Sequence, residues 1–265
     1  MLVNGVDLHV VDEGTSDVPL VLVHGYTGAA VDWDDVAPAL AQRRRVIRYD
    51  HRGHGQSTNT GDADSYTFDA LVHDLGAVVD AAGADRIDLL GHSMGGIVAM
   101  RFALAYPERV RSLVLMDTGA APSGGLPMDL VEGLTQRGRT EGMQAVADVM
   151  APLVAALQGR LTPERRAELT ARANEKLPLM DPEAFALFAR ELTTYPSMVD
   201  QLKTIACPST VIVGENDAGL RDAADVLARD IPGAELVVIS DAGHSPQEDR
   251  PDEWLTVVEQ HLARV

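Results

Sequence analysis

The 265-residue sequence predicts an α/β fold: a mostly parallel eight-stranded sheet with helices on both faces, interrupted by an all-helical insertion. Three observations predict it. Short apolar runs of strand type alternate with stretches of helical period, the pattern of parallel strands joined by crossover helices. From Thr118 to about Pro196 the strand runs vanish and helix starts replace them. Between Ile87 and Ala105, an apolar run meets Gly91-His92-Ser93-Met94-Gly95 and then becomes a helix of small residues.

Taken in order, Val3-Asn4-Gly5-Val6 carries an Asn-Gly hairpin signal, and alternation continues through Leu8, Val10 and Val11. Two antiparallel edge strands are expected there. Pro19–Val23 is an unbroken apolar run, as for a central strand buried on both faces, and it ends in the loop His24-Gly25-Tyr26-Thr27-Gly28. A helix is expected over Trp33–Ala41, a strand over Arg45–Tyr49, and then a loop from Asp50 to Ser57. Tyr66–Ala82 reads as a helix with Leu71, Leu75, Val78 and Val79 on one face. Val110–Met116 is a further strand. Ser209–Val213 and Glu235–Ile239 resume the sheet, with a helix to about Asp230 between them and a last one over Asp252–Ala263.

Inside the insertion, Thr162-Pro163-Glu164 and Asp181-Pro182-Glu183 each place a capping residue, a proline and an acid at a helix start. Five of the nine methionines fall here or at its edge: Met128, Met143, Met150, Met180 and Met198. Singly each reads as core filler; together they would line an adaptable apolar pocket. The expected division is 1–117 for the first part of the core, 118–200 for the insertion and 201–265 for the second part.

A net charge of −18 argues against nucleic acid or an anionic membrane as partner, since both would be repelled. Cys207 is the one cysteine, so no internal disulfide forms; it reads as a small hydrophobe before a strand. The first residues show no signal-peptide pattern, and no apolar run nears the ~18 residues of a spanning helix. A soluble, cytoplasmic protein is expected, acting on a small molecule as a monomer or a homodimer.

The chemistry centres on Ser93. A serine at the tip of a very tight strand-to-helix turn needs neighbours without bulk, which Gly91, Gly95 and Gly96 supply. The helix start behind it favours developing negative charge. A serine hydroxyl is a weak nucleophile at neutral pH and needs a base. Of eight histidines, His9 lies on an edge strand, His73 in a helix and His261 near the C-terminus. His51 and His54 share a loop, His24 belongs to the His-Gly turn, and His92 points away from its neighbour's hydroxyl. His244 follows the last strand, next to Gly243. For the carboxylate that orients such a base, Asp217 in Gly214-Glu215-Asn216-Asp217 competes with Glu215, Asp222 and, more seriously, Asp117 after the strand ending at Met116.

From His24-Gly25 to Gly243-His244 the chain resembles the α/β-hydrolase family, least so in its middle third. That resemblance implies a helical cap after the sixth strand, closing over the nucleophile. It implies Ser93 as nucleophile, His244 as base and Asp217 as acid, with the backbone N–H groups of Tyr26 and Met94 as oxyanion hole. Asp50 and Arg52 are implied to be structural. No cofactor and no metal are implied, and no His-x-x-x-His or paired Cys/His spacing occurs. Serine at the nucleophile position sets the chain apart from relatives that use aspartate there, the haloalkane dehalogenases and epoxide hydrolases. The leading reading is a carboxylic-ester or lactone hydrolase working through an acyl-serine. One alternative is a carbon–carbon bond hydrolase of ring-cleavage products, although those typically show asparagine before the serine and tryptophan after the histidine, where this chain has His92 and Ser245. The other is a ligand receptor that retains the three residues.

Overall fold

Asn4 and Gly5 both take positive φ, 49° and 79°, and turn the chain between β1 (Leu2–Val3) and β2 (Val6–Asp7). These two-residue strands pair only with each other. Leu8 then drops, fully buried, into the core and bends the chain away, so the ribbon is detached from the main ladder. The second edge strand, β3 (Val10–Glu13), does join that ladder, antiparallel to β5 (Val46–Tyr49). The main sheet therefore has seven strands rather than the eight expected. The computed structural model describes residues 1–122 and 125–265.

The other strands are β4 (Leu20–Val23), β6 (Ile87–His92), β7 (Val110–Met116), β8 (Ser209–Gly214) and β9 (Glu235–Ile239), all parallel. The order is β3-β5-β4-β6-β7-β8-β9. β4, β6 and β8 are buried at every residue, which is why they read as continuous apolar runs. The helix expected over Trp33–Ala41 is split into a 3-10 turn (Ala30–Trp33) and α1 (Ala37–Ala41), because Pro38 suits the start of a helix and not its interior. α2 (Phe68–Ala81) is capped by Thr67, whose hydroxyl oxygen accepts the Ala70 N–H at 3.1 Å. α3 (Met94–Ala105) follows β6 directly.

Between β7 and β8 the described residues form helices and no strand: α4 (Met128–Glu141), α5 (Met143–Leu157), α6 (Pro163–Lys176) and α7 (Pro182–Thr194). Both expected caps are present, Thr162 accepting from Arg165 N and Asp181 from Glu183 N. α8 (Arg221–Asp230), α9 (Pro246–Asp249) and α10 (Pro251–Leu262) complete the chain. One face of the sheet packs a core that runs from Val21 and Val23 through α2 and α3 into the insert at Phe185 and Phe188. The other packs Leu22 and Leu90 against Trp33 and Trp254. Phe188 stacks on Phe68 at 6.4 Å, and the Tyr66 hydroxyl donates to Asp181 at 2.6 Å, so α7 is pinned by both packing and polarity. Among the described residues no helix is long and apolar enough to cross a membrane.

Burial keeps an unusual number of imidazoles neutral. It pushes His51 and His92 down to about 3, His54 and His261 to about 4, and His24 well below the usual imidazole range. Each binds a proton in the unfolded chain before it can in the folded one, so stability is lost as pH falls below about 6.5. Burial of Asp50, Asp117, Asp249 and Glu248, the last raised to about 7, works in the opposite sense, but the five imidazoles outnumber these four acids. Urea unfolding should show stability dropping steadily from about pH 6.5 toward about pH 4. A flat profile over that window would mean these rings take up protons without opening the fold.

Candidate active site

Ser93 sits between the last residue of β6 and the first of α3, at φ 53° and ψ −119°. That is strained backbone for a residue with a Cβ. The surrounding glycines show what enforces it. A Cβ on Gly91 would lie 2.3 Å from the Gly95 carbonyl oxygen, and one on Gly95 would lie 2.3 Å from that of Val23. On Gly96 it would run into Thr118, whose hydroxyl donates to the Ser93 carbonyl at 2.7 Å. The turn is also tied to the sheet, Ser93 N–H donating to Met116 O at 2.9 Å.

The structure brings Ser93, His244 and Asp217 together. His244 Nε2 lies 3.0 Å from Ser93 Oγ, and its Nδ1 lies 2.6 Å from Asp217 Oδ2. Burial opposes ionisation of Asp217, but the hydrogen bond and charge of His244 outweigh it and hold the carboxyl below its usual range. Glu215 is not a competitor: it is exposed, and its Oε2 accepts the Asp241 N–H at 2.8 Å, bracing the loop that precedes His244. Asp117 is fully in the interior, with Oδ1 accepting the Gly214 N–H at 3.0 Å. Donor atoms of Asp117, Asp217 and His244 lie within 4.8 Å of one another. Both His244 nitrogens and one oxygen of each carboxyl already have partners, so the set is a hydrogen-bonded array and not a cage left open for an ion.

Gly25 brings the Tyr26 backbone beside the serine; a Cβ on Gly25 would be 3.1 Å from Ser93 Cβ. Tyr26 lines the cavity, and its hydroxyl donates to Phe185 O at 2.7 Å, tying the loop to the insert. Met94 is buried, so its contribution to the site is confined to its backbone. Asp50 accepts the N–H groups of Ala30 and Gln56, and Arg52 pairs with Asp74 at 2.7 Å in the interior. Both are packing and loop-holding residues, as expected.

Residues given no such role from the sequence hold the His244 loop. His92 Nε2 lies 2.7 Å from the His244 carbonyl oxygen, to which it donates. Asp249 Oδ2 accepts the N–H groups of Gly243 and Gly159, each at 2.7 Å. His244 N–H donates to Leu157 O at 2.8 Å, and a Cβ on Gly159 or Gly243 would strike backbone at 2.1 Å. The end of α5 is thus zipped to the loop that carries the imidazole. Apart from the Gly243–Asp249 bond, these contacts are long-range, so no local pattern announces them.

Above Ser93 lies a cavity of about 480 Å³ between the sheet edge and the insert. Its wall is largely aliphatic, with Leu126, Val154, Leu192 and Leu220 among the lining residues. Of the five methionines in the insert, only Met150 reaches it; Met143, Met180 and Met198 are core, and Met128 is exposed. A polar end is formed by Asp32, Lys176 and Glu248. The Lys176 ammonium pairs with Asp32, and burial, its opposing influence, is outweighed by the charges of Asp32 and Glu248.

The chain belongs to the α/β-hydrolase family: the model of the alpha/beta hydrolase fold matches residues 18–251. It is similar to an esterase from Thermogutta terrifontis, with a TM-score of 0.86 and 31% identity over 98% of this chain and 94% of that one. An enol-lactonase from Burkholderia xenovorans superposes with a TM-score of 0.85 at 27% identity, covering 98% of each chain. A 2-hydroxy-6-oxononadienedioate/2-hydroxy-6-oxononatrienedioate hydrolase from Burkholderia vietnamiensis is 30% identical over 97% of this chain and 91% of its own. The family is one of hydrolases that act on small molecules.

The strain at Ser93 is measurable. Ala normally stabilises relative to Gly by restricting the unfolded chain. Here the order should invert, with Ser93→Gly more stable than Ser93→Ala by about 1 kcal/mol, because only glycine relaxes at this φ and ψ. Urea midpoints of the two variants check this; Ala above Gly would show that the turn is unstrained.

Proposed function

We propose that the protein is a serine hydrolase that cleaves carboxylic esters or lactones through an acyl-serine intermediate. The observation that carries this reading is the continuous relay from Asp217 through His244 to Ser93, at 2.6 and 3.0 Å. His244 Nδ1–H donates to Asp217, which leaves Nε2 free to accept the serine proton. Ser93 Oγ attacks the acyl carbon while that proton passes to Nε2. The negative oxygen of the tetrahedral intermediate is held by the N–H groups of Tyr26 and Met94. Collapse expels the alkoxide, which takes the proton from His244, and a water activated by the same imidazole then releases the acid. In this reading the insert over residues 118–200 is the cap that shapes the acyl site, against the core of 1–117 and 201–265. The cavity's aliphatic wall supports an apolar acyl or alcohol portion.

The ring-fission relative favours a second reading, carbon–carbon bond hydrolysis by the same residues. Purified protein offered a simple aryl ester and a ring-fission dienoate separates the two by their kcat/KM ratio. No turnover of either by folded protein would favour a ligand-binding role.

On an aryl ester, Ser93→Ala should lose nearly all turnover. Asp217→Asn should lose two to four orders of magnitude, about 3–5 kcal/mol, since an amide offers His244 the wrong hydrogen-bond pattern. Substantial residual hydrolysis by purified Ser93→Ala protein excludes the acyl-serine route.

Acyl preference should follow the aliphatic wall rather than the methionines. Val154→Phe and Leu192→Phe should each cut kcat/KM for long-chain against short-chain aryl esters by about tenfold. An unchanged chain-length ranking would place the acyl group elsewhere.

A further inference from the structure

Asp117 lies beside the relay, which gives it no role. It follows β7 directly and holds φ at 44°, an uncommon conformation outside glycine that Asp tolerates better than most residues. It is 1% exposed. Oδ1 accepts the Gly214 N–H, but Oδ2 is buried with no hydrogen-bond partner so long as the group is written as a carboxylate. The titratable groups facing it are the Asp217 carboxylate within hydrogen-bonding reach, the His244 ring within 4.8 Å, and Asp249 farther off. Among the described residues no lysine or arginine pairs with it.

Two carboxyls this close in a dry site cannot both be ionised. Asp217 has His244 to stabilise its charge, whereas Asp117 has burial and a negative neighbour. Burial, then the charge of Asp217, raise the Asp117 carboxyl well above its usual range. A protonated carboxyl is a donor, and the orphaned Oδ2 is where that donor is needed.

We propose that Asp117 is a positioning residue that keeps its proton and donates a hydrogen bond from Oδ2 to the Asp217 carboxylate, holding it against His244 Nδ1. It touches no substrate and gains or loses no proton during turnover. The Gly214 N–H aims its carboxyl, and because Gly214 ends β8 and Asp117 directly follows β7, neighbouring strands set the geometry. The proposal rests on the triad reading, so its test includes a measurement that needs no substrate.

Asp117→Ala removes the donor, and Asp117→Gly does the same while accepting the positive φ without strain. In both, kcat on an aryl ester should fall about tenfold to hundredfold with KM changed less than about twofold. Asp117→Asn retains an acceptor for Gly214 and a donor for Asp217, and should recover activity to within about fivefold of wild type. Because it exchanges one neutral group for another, it should leave the acid limb of the pH–rate profile in place. Proton NMR of the free enzyme supplies the second readout: the low-field Nδ1–H resonance of His244 should persist in Asp117→Asn and shift or broaden in Asp117→Ala and Asp117→Gly.

A downward displacement of the acid limb in Asp117→Asn would show that Asp117 carries charge in the native enzyme and overturn the proposal. So would an Asp117→Asn loss as deep as that of Asp117→Ala, or wild-type kcat and resonance in the Ala and Gly variants. If Ser93→Ala protein hydrolyses ester normally, the triad reading falls, while the His244 resonance still reports on the Asp117–Asp217 contact.

Discussion

The backbone of α3 approaches β4 and β6 so closely that no side chain fits between them, and the site depends on that approach. Gly95 faces the Val23 carbonyl and Gly91 faces the Gly95 carbonyl at distances that a Cβ would reduce to 2.3 Å. With both neighbours pressed flat, the chain at Ser93 has one way to pass from strand to helix, and that way leaves the hydroxyl standing clear of the sheet. The strain of about 1–3 kcal/mol expected of such a residue is offset by the sheet and helix on either side. The same approach brings the first turn of α3 up to the loop Gly25–Gly28, so Ser93 and that loop are placed by one contact.

His244 and Asp217 depend on a different constraint, the parallel order of β7, β8 and β9. Asp117, Asp217 and His244 leave the carboxyl ends of these strands, so their loops share one edge. Gly214 and Gly243 allow the loops to touch: a Cβ on Gly214 would lie 2.0 Å from the Gly243 carbonyl oxygen. The insert enters this arrangement through backbone as well as side chains. Leu157 and Gly159 hydrogen-bond into the His244 loop and its supporting Asp249, while Arg165, Arg172 and Lys176 on α6 pair with Asp35 and Asp32 of the core. The segment that walls the cavity therefore also steadies the imidazole.

Much of this was legible in the chain itself. Ser93 stands out because two glycines flank it at a strand-to-helix passage, and His244 because a glycine precedes it beyond the last strand. Met116 ends its strand where the apolar run ends, and Thr162 and Asp181 cap the helices they were expected to cap. These are local signals, carried by a few consecutive residues and by backbone preferences that do not need the rest of the fold.

What distance in sequence concealed, the tertiary structure decided. An Asn-Gly turn specifies a hairpin, but whether its strands extend the sheet depends on where Leu8 finds a core to enter, and here that detaches the ribbon. Methionines in the insert signal apolar surface without saying which side faces the cavity; helix packing turned Met150 toward it and the others away. Two aspartates a hundred residues apart each follow a strand, and composition treats them alike. Only the fold sets an imidazole against Asp217 and an acid against Asp117, because charge and burial are properties of neighbours brought together in space. By itself the sequence determined the turn, the strand ends and the caps; the pairing of groups across the sheet edge was decided by packing.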